Sequence, residues 1–176
     1  MSRPAPVCVS VSKVIPARPS TLYNLISDVT RMGDFSPETV SARWLDDARG
    51  PRIGARFEGT NRIGRARWST EPEVVSAEPG QRFAFRVPGR AGALWTYTFE
   101  RTAGGSTLVT ESMQQGVPSP LPVRILQRLT GVTDRAEHLR QGMTTTLDRL
   151  GDEAVTHERR VRGDDPNGRA GRPSTS

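Results

Sequence analysis

Hydrophobic and polar positions alternate at the start of the chain. Val7, Val9 and Val11 are separated by Cys8, Ser10 and Ser12, and period-two spacing puts the three valines on one face of a first strand. That strand ends near Ile15, because Pro16 and Pro19 follow. The period then changes. Leu22, Leu25, Ile26 and Val29 line one side of a helix, with Ser20 or Thr21 as its cap. Gly33 and Pro37 predict a break over residues 30–36, with room for a single further turn.

From Val40 the composition turns strand-like, with Trp44 and Leu45 ahead of a polar turn from Asp46 to Pro51. Phe57 lies in a segment from Ile53 to Arg62, and Gly64 gives a tight turn into Arg65 to Val75. Further strands are expected over Arg82 to Val87, Ala93 to Glu100 and Thr107 to Met113, separated by Pro79-Gly80, Pro88-Gly89 and Gly104-Gly105. Turns at this spacing predict an antiparallel meander, since the connections are too short for crossover helices. Trp95, Tyr97 and Phe99 share one face and Thr96, Thr98 and Glu100 the other. In the next strand Leu108 and Thr110 share a face and Val109 and Glu111 the opposite one, so neither side is wholly apolar.

The proline-rich segment Pro118 to Pro122 separates the strands from a long helical stretch. Val132, Ala136, Leu139, Met143, Leu147 and Leu150 form one stripe of a 3.6-residue helix, which Val123, Leu126 and Leu129 extend backwards past a weak point at Gly131. Each large apolar side chain of such a stripe contributes about 1.5–3 kcal/mol when buried, so the stripe must pack on the greasy face of the sheet. Segment 151–176 holds five Arg and five acidic residues with only two valines, and reads as a disordered polar tail following a folded domain at 1–150.

Composition narrows the function. A chain of 176 residues is of one-domain size. The net charge of +6 comes almost wholly from arginine, Lys13 being the sole lysine. Arg18, Arg31, Arg43, Arg49, Arg52 and Arg56 are scattered and form no stripe, so no nucleic-acid partner is expected. The lone Cys8 cannot form an internal disulfide and reads as a buried small hydrophobe in a reducing compartment. No signal-like run and no apolar stretch of about 18 residues occurs, which predicts a soluble cytoplasmic protein without stable membrane insertion. One cysteine and the histidines His138 and His157 make no zinc cluster, and there is no HExxH, EF-hand, phosphate loop, dinucleotide fingerprint or serine nucleophile motif. Neither a metal nor a cofactor is expected.

Several segments together resemble the polyketide cyclase/START-like superfamily, the Bet v 1-like or helix-grip (SRPBCC) proteins, and within it the small actinobacterial members. They are Leu25-Ile26-Ser27-Asp28-Val29, Phe35-Ser36-Pro37-Glu38, Arg43-Trp44-Leu45, Gly54-Ala55-Arg56-Phe57, Gly59-Thr60-Asn61-Arg62, Trp95-Thr96-Tyr97-Thr98-Phe99-Glu100 and Gly142-Met143-Thr144-Thr145-Thr146-Leu147. The resemblance covers about residues 5–150 and contains no catalytic signature. It implies an α+β helix-grip fold: a seven-stranded curved antiparallel sheet around a long C-terminal helix, two short helices after the first strand, and a cavity between sheet and helix. Members of this superfamily bind lipids, sterols, polyketides and plant hormones, and some are aromatase/cyclases or chaperone activators. The fold alone does not choose among these roles.

The expected partner is accordingly a small hydrophobic molecule such as a lipid, polyketide or aromatic metabolite, with a homodimer allowed. Two alternatives stay open: a polyketide cyclase or dehydratase acting by substrate orientation and acid–base catalysis, and a protein-interaction module with a packed interior. Candidate ligand contacts are Trp44, Phe57, Trp68, Phe83, Phe85, Trp95, Tyr97, Thr110, Leu139 and Met143. Trp95 and Tyr97 lead, because each joins an apolar body to a donor that needs a partner when buried. Asn61 and Arg62 read first as turn residues, and Glu58 and Thr70 as minor sources of inward polarity. His138, beside the helical stripe, is the candidate general base and requires a polar partner and a substrate proton within hydrogen-bond reach.

Overall fold

The computed structural model describes residues 7–89, 92–115 and 135–163. Strand β1 (Val7–Ile15) leads into α1 (Pro19–Ser27), a single 3-10 turn at Val29–Arg31 and the short α2 (Met32–Phe35). Seven strands follow: β2 (Thr39–Trp44), β3 (Phe57–Ile63), β4 (Ala66–Thr70), β5 (Glu73–Glu78), β6 (Arg82–Val87), β7 (Ala93–Arg101) and β8 (Thr107–Gln115). The last described element is the helix α3, Arg135–Arg162. The architecture is the expected α+β helix grip, with the sheet curved around α3.

Alternation decides the inner face. In β8 the residues Thr107, Val109, Glu111, Met113 and Gln115 are buried, and β1 and β7 flank this strand along its full length. Across the β7–β8 ladder Tyr97 pairs with Glu111 and Phe99 with Val109, so these side chains share the concave face. In β1, Val9 and Ile15 are buried, whereas Cys8 is exposed. The expectation of a buried thiol is corrected here: its parity sends it to the convex side with Ser10 and Ser12.

Eight strands are present where the resemblance implied seven. The hydrogen-bonded order is β1-β8-β7-β6-β5 in one ladder and β2-β3-β4 in the other. The expected single strand Arg65 to Val75 is interrupted at Pro72, which has no N–H to donate and falls between β4 and β5. The sheet continues around this corner. The Phe57 N–H donates to the Pro72 carbonyl at 3.1 Å, and Val74 N–H to the Ala55 carbonyl at 2.8 Å.

On α3, Leu139, Met143, Leu147, Leu150 and Ala154 are buried against the sheet and the short helices. Gly151 permits a close approach, since a Cβ there would stand 3.6 Å from three atoms of Ile15 in β1. Gly33 does the same for α2, where a Cβ would lie 2.9 Å from the Val40 carbonyl oxygen. The expected proline segment at 118–122, the helical extension through Val123, Leu126 and Leu129, the weak point at Gly131 and the stripe residue Val132 lie outside the described residues.

The boundary expected at residue 150 is corrected, because α3 runs on to Arg162. Its buried stripe does continue, through Gly151, Ala154 and Glu158, but in residues too small or too polar to register as a hydrophobic signal. Glu158 also replaces the expected cap. Helix α1 starts at Pro19 with Arg18 as N-cap and no capping side chain of its own. The Glu158 carboxylate instead accepts the Arg18 N–H at 2.7 Å, the Thr21 hydroxyl at 2.9 Å and Arg18 Nε at 3.3 Å. Burial pushes this carboxyl up, but those donors outweigh it and hold it below its ordinary range. A depressed carboxylate stabilises the fold above the unfolded-state value and loses that contribution as pH falls through the folded one. Glu158→Ala strands the Arg18 N–H and the Thr21 hydroxyl and is expected to lower unfolding stability by about 2–4 kcal/mol in urea titrations at neutral pH. An unchanged urea midpoint would show that this anchor is dispensable.

Candidate functional site: a cavity with a buried acid

A cavity of about 420 Å³ lies between α3 and the sheet. Its aromatic wall is built strand by strand from Phe57 of β3, Trp68 of β4, Phe85 of β6 and Trp95 and Tyr97 of β7. The rings hold one another in place: Phe57 meets Phe85 edge-on at 5.2 Å and Phe85 stacks on Trp95 at 6.4 Å. Leu139, Met143 and Thr146 of α3 close the opposite side, and Met32 with the segment Ser36–Thr39 lies along the rim. Small residues, Gly59, Ala42 and Gly142 among them, leave the space unfilled.

On the β8 side an acid joins this lining. Glu111 projects from β8 into the cavity wall and is only 2% exposed. The Tyr97 hydroxyl donates to Glu111 Oε1 at 2.8 Å, while Oε2 has no hydrogen-bond partner among the described residues. Burial is the main cause that lifts this carboxyl from its ordinary 4.5 to about 8, and the Tyr97 hydrogen bond works in the opposite direction. Tyr97 itself is pushed well above its usual value, first by burial and then by the neighbouring Glu111. At neutral pH the pair is therefore two neutral groups. Oε1 accepts from Tyr97, which leaves Oε2 as the oxygen available to a carboxyl proton.

A second polar cluster lines the cavity where α3 begins. Arg135 and Glu38 are both in the lining, and Arg135 Nε is buried without a partner among the described residues. Burial lowers the Arg135 pKa and the charge of Glu38 acts against that. His138 Nε2 stands 2.8 Å from Glu38 Oε1. The general-base candidate thus has a carboxylate partner, but its own ring is not part of the cavity lining.

Of the residues singled out in the sequence, the structure brings Phe57, Trp68, Phe85, Trp95, Tyr97, Leu139 and Met143 around one cavity. It does not bring Trp44, Phe83 or Thr110 there. Trp44 packs edge-on behind Phe57 at 5.7 Å. Phe83 is fully buried in the core and meets Tyr23 at 6.4 Å. Thr110 has the wrong parity, and its hydroxyl shares a 2.8 Å hydrogen bond with Ser12 on the convex face. Asn61 and Thr70 do line the cavity, although Asn61 also bonds Thr39 and the Gly59 carbonyl. Arg62 is exposed, and Glu58 pairs with Arg43. Sequence reasoning passed over Glu111 and Arg135. The signal for Glu111 was available, since it alternates with Val109 and Met113, two apolar residues on the same face.

The raised carboxyl of Glu111 sets the sign of a pH effect. Between about 4.5 and about 8 the native state holds a proton that the unfolded chain has lost, so stability falls as pH rises across that window. The slope is at most about 1.4 kcal/mol per pH unit. Glu111→Gln keeps an acceptor for Tyr97 and cannot ionise. The variant is expected to gain stability relative to the parent from pH 5 to pH 8, with the gap flat above that, as read by urea unfolding. A gap that does not change with pH would contradict the buried neutral acid.

The geometry can be set beside known proteins. Ginseng major latex-like protein 151 from Panax ginseng superposes with a TM-score of 0.65 at 12% identity, over 85% of this chain and 98% of that one. The di-domain ARO/CYC StfQ from the steffimycin biosynthetic pathway gives 0.67 at 15% identity, over 87% of this chain and 52% of that one, so the chain spans about half its length. The Polyketide_cyc-like protein Cgl2372 from Corynebacterium glutamicum gives 0.54 at 27% identity, over 96% of this chain and 99% of that one. No curated protein matches the sequence. Among the described residues no helix is long and apolar enough to cross a membrane, and no three His, Cys, Asp or Glu side chains are grouped to hold a metal ion. The family model described as polyketide cyclase / dehydrase and lipid transport matches residues 6–163, all the strands and helices above included, and the chain belongs to that family.

Proposed function

We propose that this protein binds a small hydrophobic molecule in the cavity between α3 and the sheet. The observation that carries the reading is the unfilled volume of about 420 Å³ behind a wall of aromatic side chains. Protein interiors are close-packed, and an opening of this size with mostly apolar walls and a few convergent polar groups has the character of a ligand site. Trp68, which is 38% exposed, stands at the rim where a ligand would pass, and Phe85 and Trp95 offer stacked faces further in. A lipid, a polyketide or an aromatic metabolite satisfies this description. The packed protein-interaction module that the sequence left open draws no support from an interior with this much space.

One observation favours a second reading, cyclisation or dehydration of an oxygen-bearing substrate. It is the Glu111 carboxyl, buried in the cavity wall with Oε2 unpartnered among the described residues and pushed up to about 8 chiefly by burial. A proton donor matched to neutral pH is what such chemistry requires, and the enclosure would hold a flexible substrate folded. StfQ carries ARO/CYC in its name, which is consistent with this reading but speaks only of that protein.

Gly59 supplies the test of binding. A Cβ at this position would meet Thr70 Oγ1 at 3.7 Å, an ordinary contact, so a side chain there grows into the cavity without clashing with backbone. Gly59→Leu is expected to fold with a melting temperature within a few degrees of the parent and to lose at least tenfold in affinity for an environment-sensitive hydrophobic dye such as ANS. Dye binding that is unaffected would mean that the cavity is not the binding site.

A further inference from the structure

We propose that Glu111 is the specificity determinant of this cavity: held by Tyr97 through Oε1, it donates the proton on Oε2 to an acceptor oxygen of the ligand, so that binding of the ligand requires that proton. The inference rests on the binding reading above and adds to it the chemical class of the occupant. That occupant is an apolar, ring-bearing molecule with a neutral carbonyl, or another neutral acceptor oxygen, at its buried end.

Glu111 has an unmet hydrogen-bond need. Glu111 is 2% exposed and lines the cavity, yet only one of its two oxygens has a partner among the described residues. Buried polar groups are almost always paired, and a residue of a cavity wall that holds a buried, unpartnered oxygen is a place for a ligand atom. The cross-strand pairing of Tyr97 with Glu111 fixes the orientation, because the phenol hydroxyl occupies Oε1 at 2.8 Å. With the Tyr97 hydroxyl donating to Oε1, the oxygen left for the carboxyl proton is Oε2. A ligand atom facing Oε2 must then accept. A hydrocarbon would leave the donor unsatisfied.

Charge around the cavity supports the same assignment. Among the described residues the other charged or titratable groups in the lining are Tyr97 of β7, Glu38 of the segment before β2 and Arg135 of α3, with His138 of α3 at hydrogen-bond distance from Glu38. The β1 residue opposite Glu111 in the ladder is Val11, which carries no charge. No basic side chain forms a hydrogen bond or ion pair with Glu111 among the described residues. The carboxyl therefore retains its proton at neutral pH and gives it up near pH 8, where a donor to the ligand becomes a repelling charge.

The test uses two probes with one skeleton, fluorenone and fluorene, titrated against the full chain at pH 6 and pH 9 and followed by quenching of tryptophan fluorescence. The parent should prefer the ketone by about tenfold at pH 6 and lose that preference at pH 9. Glu111→Gln, whose amide keeps an acceptor for Tyr97 and a donor toward the ligand, should retain the preference at both pH values. Glu111→Leu should show none, and circular dichroism checks that it folds; if it does not, the Gln variant and the pH comparison decide. Equal affinity of the parent for both probes, or a preference that is the same at pH 6 and pH 9, overturns the role of Glu111 and leaves the binding reading intact. Failure of both probes to bind overturns the binding reading itself and the inference with it.

Discussion

Burial of the α3 stripe, Leu139, Met143, Leu147, Leu150 and Ala154, against the concave sheet determines which face of every neighbouring strand is inward. Once that face is set, the period of two leaves no freedom. A one-residue slip of β8 would exchange Val109, Glu111 and Met113 for Leu108, Thr110 and Ser112 on the inner side. The long β1–β8 and β7–β8 ladders pin the register, and α1 is tied to α3 by Glu158. Sheet, short helices and long helix are thus fastened as one unit at the end of α3 distant from Arg135.

The other end of the same helix is less filled. From Leu147 onward the stripe packs into the main core with Ile15, Leu22 and Val29. Toward Arg135, Leu139 and Met143 join a smaller cluster with Val9 and Met113 and face the cavity. The division gives the molecule a stable end and an end with space. Glu111 lies on the inner face bordering that space, and its neutral form is the least costly state for a carboxyl with so little water. An acid in this position costs stability at high pH and offers no packing gain over an apolar residue, so its contribution is best sought in what the cavity binds.

Much of the fold was legible from spacing alone. The strand at Val7–Ile15, the meander with its glycine and proline turns, and the stripe through Leu150 follow from periods of two and 3.6, because burial on one side imposes those periods on the sequence. Three features were not legible, each for a physical reason. Pro72 turns a corner by an ordinary loss of an N–H, and whether a proline ends a strand or bends it depends on the partner strand. The continuation of α3 through Gly151, Ala154 and Glu158 depends on close approach and on a polar anchor, neither of which adds hydrophobicity. Among the site residues, Thr110 and Glu111 differ by one position, and only the identity of the inward face separates them; with neither face of β8 wholly apolar, the sequence pointed to the face that is convex. Phe83 and Trp44 show the converse limit, since an aromatic residue in a strand serves the core as readily as a cavity.

The central claim is that the cavity contains a carboxylic acid which keeps its proton at neutral pH. It is tested most directly by carbon-13 NMR of the protein labelled at glutamate side-chain carboxyls, with the Glu111 resonance assigned by its disappearance in Glu111→Gln. The account requires the chemical shift of a protonated carboxyl at pH 7 and a titration midpoint near 8. A midpoint in the ordinary carboxylate range near 4.5 would contradict it.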